Sequence, residues 1–425
     1  MSKPPHPFRI ANFRAYWASR FSGTIAQTAM ALIIGYQVYN LARQTMDVRE
    51  SAFLLGMIGL AQFVPLFLLT PVVGLVADSV DRRWIVRSTT ALLILTAAGL
   101  GLLTWSGALT LPVLFGAAVL IGVARAFSGP AYSALAPNLV PREVLPTSIA
   151  LSSIAWQVGS IVGPSIGGVL LSVSADAAYA GVVALLAVAL GGIFLIGPVL
   201  QPPAQRDHRP LARIAEGFGY VRRNRLVQAT ITLDLFAVLL AGSTALLPVF
   251  ARDVLMVGAD GLGVLAAASG VGAASMALWF SFRPMRENVG VKMLAAVVAF
   301  GIATIVFGLS RHFWLSAAAL VVAGAMDMIS VYVRSSLIQL HTPDAMRGRV
   351  SAVSQLTISA SNELGEAESG LLASLMGPVG AVVFGGVGAI GVTLLWARLY
   401  PELKLANSFD PPEVVPGPQH GVAHQ

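Results

Sequence analysis

Apolar runs of about twenty residues follow one another along this chain, separated by short polar clusters. A helix rises about 1.5 Å per residue, so roughly twenty apolar residues cross a hydrocarbon layer about 30 Å thick. Lipid offers the backbone no hydrogen bonds, so segments of this length must cross as helices. Twelve runs qualify, at 14–41, 52–77, 84–105, 111–135, 147–172, 177–200, 225–251, 261–283, 290–310, 312–340, 347–376 and 378–399. Several exceed the minimum, which predicts tilt or kinks. Composition closes the alternative. Charged residues make up only 11% of the chain, against roughly 25% in soluble domains, too few to solvate a surface. The fold class is therefore an all-α polytopic membrane protein.

Lys and Arg alternate between the loops. One side carries Lys3, Arg9 and Arg14, then Arg82, Arg83 and Arg87, then Arg142. It continues with six arginines from Arg206 to Arg225, then Arg283, Arg286 and Lys292, and ends with Arg347, Arg349, Arg398 and Lys404. The opposite side holds only Arg43, Arg49, Arg252 and Arg311. By the positive-inside rule both termini are expected in the cytoplasm, with an even number of spans. The net charge of +7 thus reports orientation, and no nucleic-acid partner is expected. The polar start, "MSKPPHPFRIANFR", lacks the apolar core of a signal peptide, and none is expected. With no cysteine there is no disulfide or thiolate chemistry.

The longest polar stretch follows span six. It divides the chain into an expected six-helix bundle at 1–200, a cytoplasmic linker at 201–224 that includes a basic amphipathic segment, a second bundle at 225–400 and a disordered tail at 401–425. The halves echo each other. "SALAPNLVPREVLPTSIALS" from Ser133 aligns without a gap with "SSLIQLHTPDAMRGRVSAVS" from Ser335, and the same register sets Arg125 opposite Asp327. Duplicated six-span units are a common plan for secondary transporters, with the substrate site between the repeats.

"GSIVGPSIGG", Gly159–Gly168, places Gly159, Gly163 and Gly167 on one helix face, with Pro164 and Gly168 beside them. In lipid, such a smooth face lets a neighbouring helix approach closely. The string G-x-x-x-G-P-x-x-G-G resembles the fifth-helix motif of antiporters in the major facilitator superfamily. "GLVADSVDRR" resembles that superfamily's loop motif between spans two and three. Gly74, Asp78, Arg82 and Arg83 match it, whereas Ser79 and Asp81 depart from it. In the family this loop is a cytoplasmic latch. Arg125 resembles the superfamily's fourth-helix arginine, linked to proton coupling or substrate charge.

Within the superfamily the chain is similar to the enterobactin exporter group. The similarity runs through "NFRAYWASRFSGTIAQTAM", "ADSVDRR", "SGPAYSALAPNLVPREVLPTSIAL", "LDLFAVLLAGSTALLPVFA" and "MRGRVSAV". It implies the major facilitator fold, with twelve helices in two pseudo-symmetric bundles. It also implies a non-enzymatic monomer in a bacterial cytoplasmic membrane, exporting a siderophore or another amphiphile. Protons and the small-molecule substrate are then the partners, and no cofactor or metal is called for. A lipid transporter, a flippase or a multidrug pump of the same fold is the alternative.

Ionisable residues inside apolar runs are functional candidates because burying charge in lipid is costly. They are Arg20, Arg125, Asp234, Asp327, Arg334, Glu363, Glu366 and Glu368. Glu363 and Glu366 share a helix face, and Glu368 lies about 140° from Glu363. Arg125 and Arg20 are the expected partners of Asp234 and Glu363 across the cavity. A carboxylate that alternates between an apolar site and an arginine can take up a proton on one side and release it on the other. "GVGAIG" at Gly386–Gly391 matches a dinucleotide fingerprint, but it lies in span twelve with no strand before it. His420 and His424 sit in a Gly/Pro-rich tail and do not read as a metal site.

Overall fold

The computed structural model describes residues 6–198 and 210–409, apart from a few side chains within them. All of its regular structure is helical among the described residues. The first six spans are Ala11–Ala42, Val48–Ser79, Arg82–Trp105, Leu111–Leu135, Leu145–Val173 and Ala175–Phe194. Span seven begins as Arg225–Leu240 and continues through short helical turns to Val254. Spans eight to ten are Gly258–Phe282, Val289–Leu309 and Phe313–Leu340. The last helix, Asp344–Leu399, has 56 residues, roughly 84 Å at the helical rise and nearly three times what one crossing of a bilayer needs. It is two spans joined at Gly377, whose φ of 82° and ψ of 161° lie outside helical space. Only glycine adopts that conformation without strain, and Pro378 restarts the helix. Spans eleven and twelve are therefore 344–376 and 378–399.

Among the described residues, ten helical stretches are long and apolar enough to cross a membrane, and one of them, Met346–Leu399, holds this joined pair. Span one is less apolar because it carries Arg14, Arg20 and a run of small polar residues. It completes the twelve by burying Phe13, Tyr16, Met30 and Ile33 against its neighbours. Large apolar side chains such as Leu95, Leu102, Val169 and Phe282 are exposed on the outside, as a lipid-facing surface requires.

Local signals set the helix ends. Asp47 and Glu50 form a reciprocal capping box that starts span two. Asp81, Ser174 and Asn224 accept from backbone N–H groups at the starts of spans three, six and seven. In the first half, span one packs on spans five and six, and span four on spans two and three. In the second half, span ten packs on spans eight and nine. The halves meet where span two lies against span eleven and span five against span eight. A Cβ on Gly56 would stand 2.6 Å from the Cα of Gly370, so these two backbones touch.

The connecting helix Pro210–Arg223 follows the expected amphipathic segment. It docks on the start of span eleven. Tyr220 donates to the His341 carbonyl at 2.7 Å, and Glu216 pairs with Arg349 at 2.8 Å. The tail expected to be disordered from 401 begins as an ordered helix, Pro401–Leu405, with Leu403 fully buried. Beyond it, the Ala406 carbonyl accepts from Gly290 at 3.0 Å, and Glu402 pairs with Arg225 at 2.6 Å. Residues 201–209 and 410–425 of the expected linker and tail lie outside the described residues.

Candidate functional site

A charge-assisted pair crosses between the halves at mid-depth. Arg125, fifteen residues into span four, donates from Nη1 to Glu363 Oε1 of span eleven at 2.5 Å and to Gln62 Oε1 of span two at 3.3 Å. Glu363 is buried, whereas about a third of the Arg125 side chain stays exposed. Glu366, one turn from Glu363, stands in the field of both charges, with its Cβ against Gly59 of span two. The absence of a side chain at Gly59 gives the carboxylates room at the seam. Of the pairings left open between Arg125 or Arg20 and Asp234 or Glu363, the structure builds Arg125 with Glu363. Gln62 was not foreseen, since a lone glutamine in an apolar run shows no spacing that marks it.

Asp234 has a different partner from the one expected. It pairs with Arg334 of span ten, within its own half, and both side chains are about 6% exposed. A charge in so apolar a setting takes the nearest opposite charge, and spans seven and ten face each other at this level. The pair does not join the Arg125 cluster. Arg20 likewise reaches neither Asp234 nor Glu363. It donates to the Tyr16 hydroxyl at 3.3 Å and lies 5.6 Å from the Tyr132 ring centre. Asp327 is exposed and makes no hydrogen bond or ion pair among the described residues. Glu368 stands apart from Glu363, as the helix geometry predicts, and its Oε2 is buried without a hydrogen-bond partner among the described residues.

The glycine string serves two interfaces. A Cβ on Gly159 would lie 2.9 Å from Thr24 Cβ, one on Gly163 would meet the Thr28 side chain, and one on Gly167 would lie 2.9 Å from the Ala29 carbonyl. These three glycines fuse span five to span one of the same half. Gly168 faces the other way, and its backbone meets that of Gly263 on span eight across the seam. Pro164 lies inside the helix without breaking it. Of the expected latch, Gly74 and Asp78 fall in span two where side chains lie outside the described residues. Arg83 closes on Asp81 at 2.6 Å and donates to the Ile196 carbonyl at 3.3 Å. Asp81, the residue that departs from the motif, thus holds the arginine locally. Arg82 is partly buried, and its Nε has no hydrogen-bond partner among the described residues.

A second polar cluster ties the halves together at the end away from the termini. Asp253, at the end of span seven, accepts from Arg43 at 3.3 Å and from the Tyr39 hydroxyl of span one. Its neighbour Arg252 donates to the Asn40 side chain at 2.5 Å. The hydrogen bond to Asp253 raises the Arg43 pKa further above its ordinary value, against the opposing effect of burial. The sequence held a signal for this cluster, because Arg43 and Arg252 are two of the four exceptions to its charge asymmetry. The close glycine contacts between halves, Gly56 with Gly370 and Gly168 with Gly263, lie toward the same end.

Comparison with known proteins agrees with this architecture. Residues 2–419 match the family described as transmembrane secretion effector. Curated relatives include the enterobactin exporter EntS of Citrobacter koseri, 29% identical over 417 residues, with 95% of each chain covered. The enterobactin exporter EntS of Shigella boydii is 28% identical over 414 residues, covering 95% of this chain and 94% of that one. Among solved structures, a bacterial homologue of the human lysosomal transporter Spinster, in an inward-facing and occupied conformation, superposes with a TM-score of 0.71 at 14% identity. That match covers 94% of this chain and 99% of the other. The xylose transporter XylE from E. coli superposes with a TM-score of 0.66 at 12% identity, covering 92% and 96%. These structural likenesses carry the fold. The chain belongs to the transmembrane secretion effector family, within the major facilitator superfamily of membrane transporters.

Proposed function

We propose that this transporter is a proton-coupled exporter that moves a siderophore-like or other amphiphilic small molecule out of the cytoplasm by alternating access. The observation that carries this reading is the Arg125–Glu363 pair, which joins the two halves at mid-depth beside Glu366. The enterobactin exporter relatives support the direction and the substrate class. Charge asymmetry supports an orientation with both termini in the cytoplasm of the bacterial inner membrane. In that orientation the end closed by Asp253 with Arg43 and by the paired glycines faces outward.

The coupling follows from electrostatics. With Glu363 ionised, the charge-assisted bond to Arg125 helps hold the halves in this arrangement. When the outward end opens, a proton from outside neutralises Glu363, keeps that bond from re-forming and leaves Arg125 free for another acceptor. Release of the proton to the cytoplasm restores the pair while substrate leaves in the opposite direction. Glu366 and Asp327 are the next carboxylates able to share the proton, and Arg20 offers the first half a second cation. Asp234 is held by Arg334 and is not part of this relay.

Proteoliposomes test the reading, with a catecholate siderophore and a lysolipid as parallel substrates and with or without an imposed pH gradient. The expected result is gradient-driven siderophore movement in wild type. In Glu363→Gln, the response to the gradient should disappear while siderophore binding survives, because an amide keeps the shape but exchanges no proton near neutrality. Movement of the lysolipid alone would overturn the substrate class. A Glu363→Gln variant as gradient-sensitive as wild type would overturn the coupling site.

A further inference from the structure

Spans eight, nine and ten enclose a groove of about 670 Å³ near the end that carries the termini, away from the Arg125 cluster. Its deep wall is apolar, formed by Met276, Phe280, Met326 and Ile329. Small residues on span nine, Ala295 and Ala299 among them, leave the space open. Its mouth is cationic, with Arg283 and Arg286 in the turn after span eight and Lys292 in the first turn of span nine. Glu287 is the single carboxylate there, so the rim carries a net charge of two positives.

The polarity runs along the membrane normal. Met276 precedes Arg283 by seven residues, roughly 10 Å at the helical rise. Trp279 lies between them, more than half exposed, with the Arg283 guanidinium 5.2 Å from its ring centre. An aromatic ring at this level marks the boundary between hydrocarbon and headgroups. Arg43, Arg83, Arg125, Arg225, Arg334 and Arg349 each have a carboxylate in ion-pair range. Among the described residues, Arg283, Arg286 and Lys292 have none. The turn that presents them is pinned. Asn288 sits at a φ of 53° and donates its N–H to Asn407 Oδ1 at 3.2 Å, and Gly290 bonds the Ala406 carbonyl.

We propose that this groove is a binding site for one anionic phospholipid. An acyl chain lies along Met276, Phe280 and Met326, and the headgroup phosphate sits among Arg283, Arg286 and Lys292. Three unpaired cations above an apolar slot complement a molecule with a net negative head and a hydrocarbon tail. A zwitterionic lipid fills the slot but leaves the net charge of the rim unmatched. The site stands independently of which substrate the protein exports.

The test uses the purified full-length protein in detergent, titrated separately with dioleoyl phosphatidylglycerol and dioleoyl phosphatidylcholine and read by native mass spectrometry. Phosphatidylglycerol should be retained at roughly tenfold lower concentration than phosphatidylcholine. The triple variant Arg283→Gln, Arg286→Gln, Lys292→Gln should erase that preference. Ala295→Trp, at an exposed position in the groove, should displace the lipid while leaving the cations in place. It keeps the test decisive if the triple variant fails to fold. Equal retention of both lipids by wild type would overturn the proposal. So would undiminished phosphatidylglycerol binding by Ala295→Trp, or displacement of the lipid by millimolar inorganic phosphate. A dimer that Ala295→Trp disperses would assign the groove to a second copy of the chain instead.

Discussion

Where spans one and four cross, Tyr132 bonds the Ser19 hydroxyl at 2.8 Å, and Tyr16 donates to the Tyr132 carbonyl and meets Ser152 at 2.7 Å. The repeat register pairs Tyr132 with Arg334, and there, where spans seven and ten cross, the second half holds the Asp234–Arg334 ion pair. Both crossings are buried. One satisfies its polar groups with hydroxyls, with the Arg20 guanidinium on the Tyr16 hydroxyl and near the Tyr132 ring, and the other pairs two full charges with each other. The duplication therefore keeps the places where helices cross and not the chemistry used there. The two solutions also fail differently. A hydroxyl network that loses one partner forfeits a modest net hydrogen bond, whereas a broken buried pair leaves a stranded charge.

That contrast can be broken experimentally. The largest effect is expected from Asp234→Ala, which strands the Arg334 guanidinium and should cost about 3–5 kcal/mol of stability. Thermal unfolding in detergent measures it. The double variant Asp234→Ala, Arg334→Met should recover most of the loss, and a double variant as unstable as the single would deny the pair its role. Tyr132→Phe, at the matching place in the first half, should cost only about 1 kcal/mol by the same measurement. A loss as large as that of Asp234→Ala would mean that the two crossings are not as unlike as their chemistry suggests. The smallest effect separates burial from charge within the second half. The Arg225–Glu402 pair is 58% and 39% exposed, so Arg225→Gln should shift stability by no more than about 0.5 kcal/mol.

The spans were legible because lipid admits so few backbone solutions, and the lengths of the apolar runs read almost directly as helices. The Arg125–Glu363 pair was legible only as one of four pairings open between Arg125 or Arg20 and Asp234 or Glu363, because burial along each helix does not choose among them. The partner of Asp234 was not. Pattern along one helix shows that a charge is buried, but which neighbour it faces depends on how six helices rotate and cross. The glycine string had the same limit. Spacing identified one smooth face for Gly159, Gly163 and Gly167, but nothing in it said that Gly168 would touch the other half. The ordered start of the tail was hidden because Leu403 is an isolated apolar residue in a polar stretch, and its burial depends on a pocket made by span nine.

Gly377 joins spans eleven and twelve without any loop. At the same end, the stretch between Trp105 and Leu111 has length to spare, whereas Ser174 alone separates spans five and six. A peptide tag or a protease site placed there would lengthen a surface turn and leave the helices alone. The same insertion at Gly377 would have to fit between two helix ends that share a single residue. To a protease or an antibody approaching from that side, spans eleven and twelve present a closed corner in place of a loop.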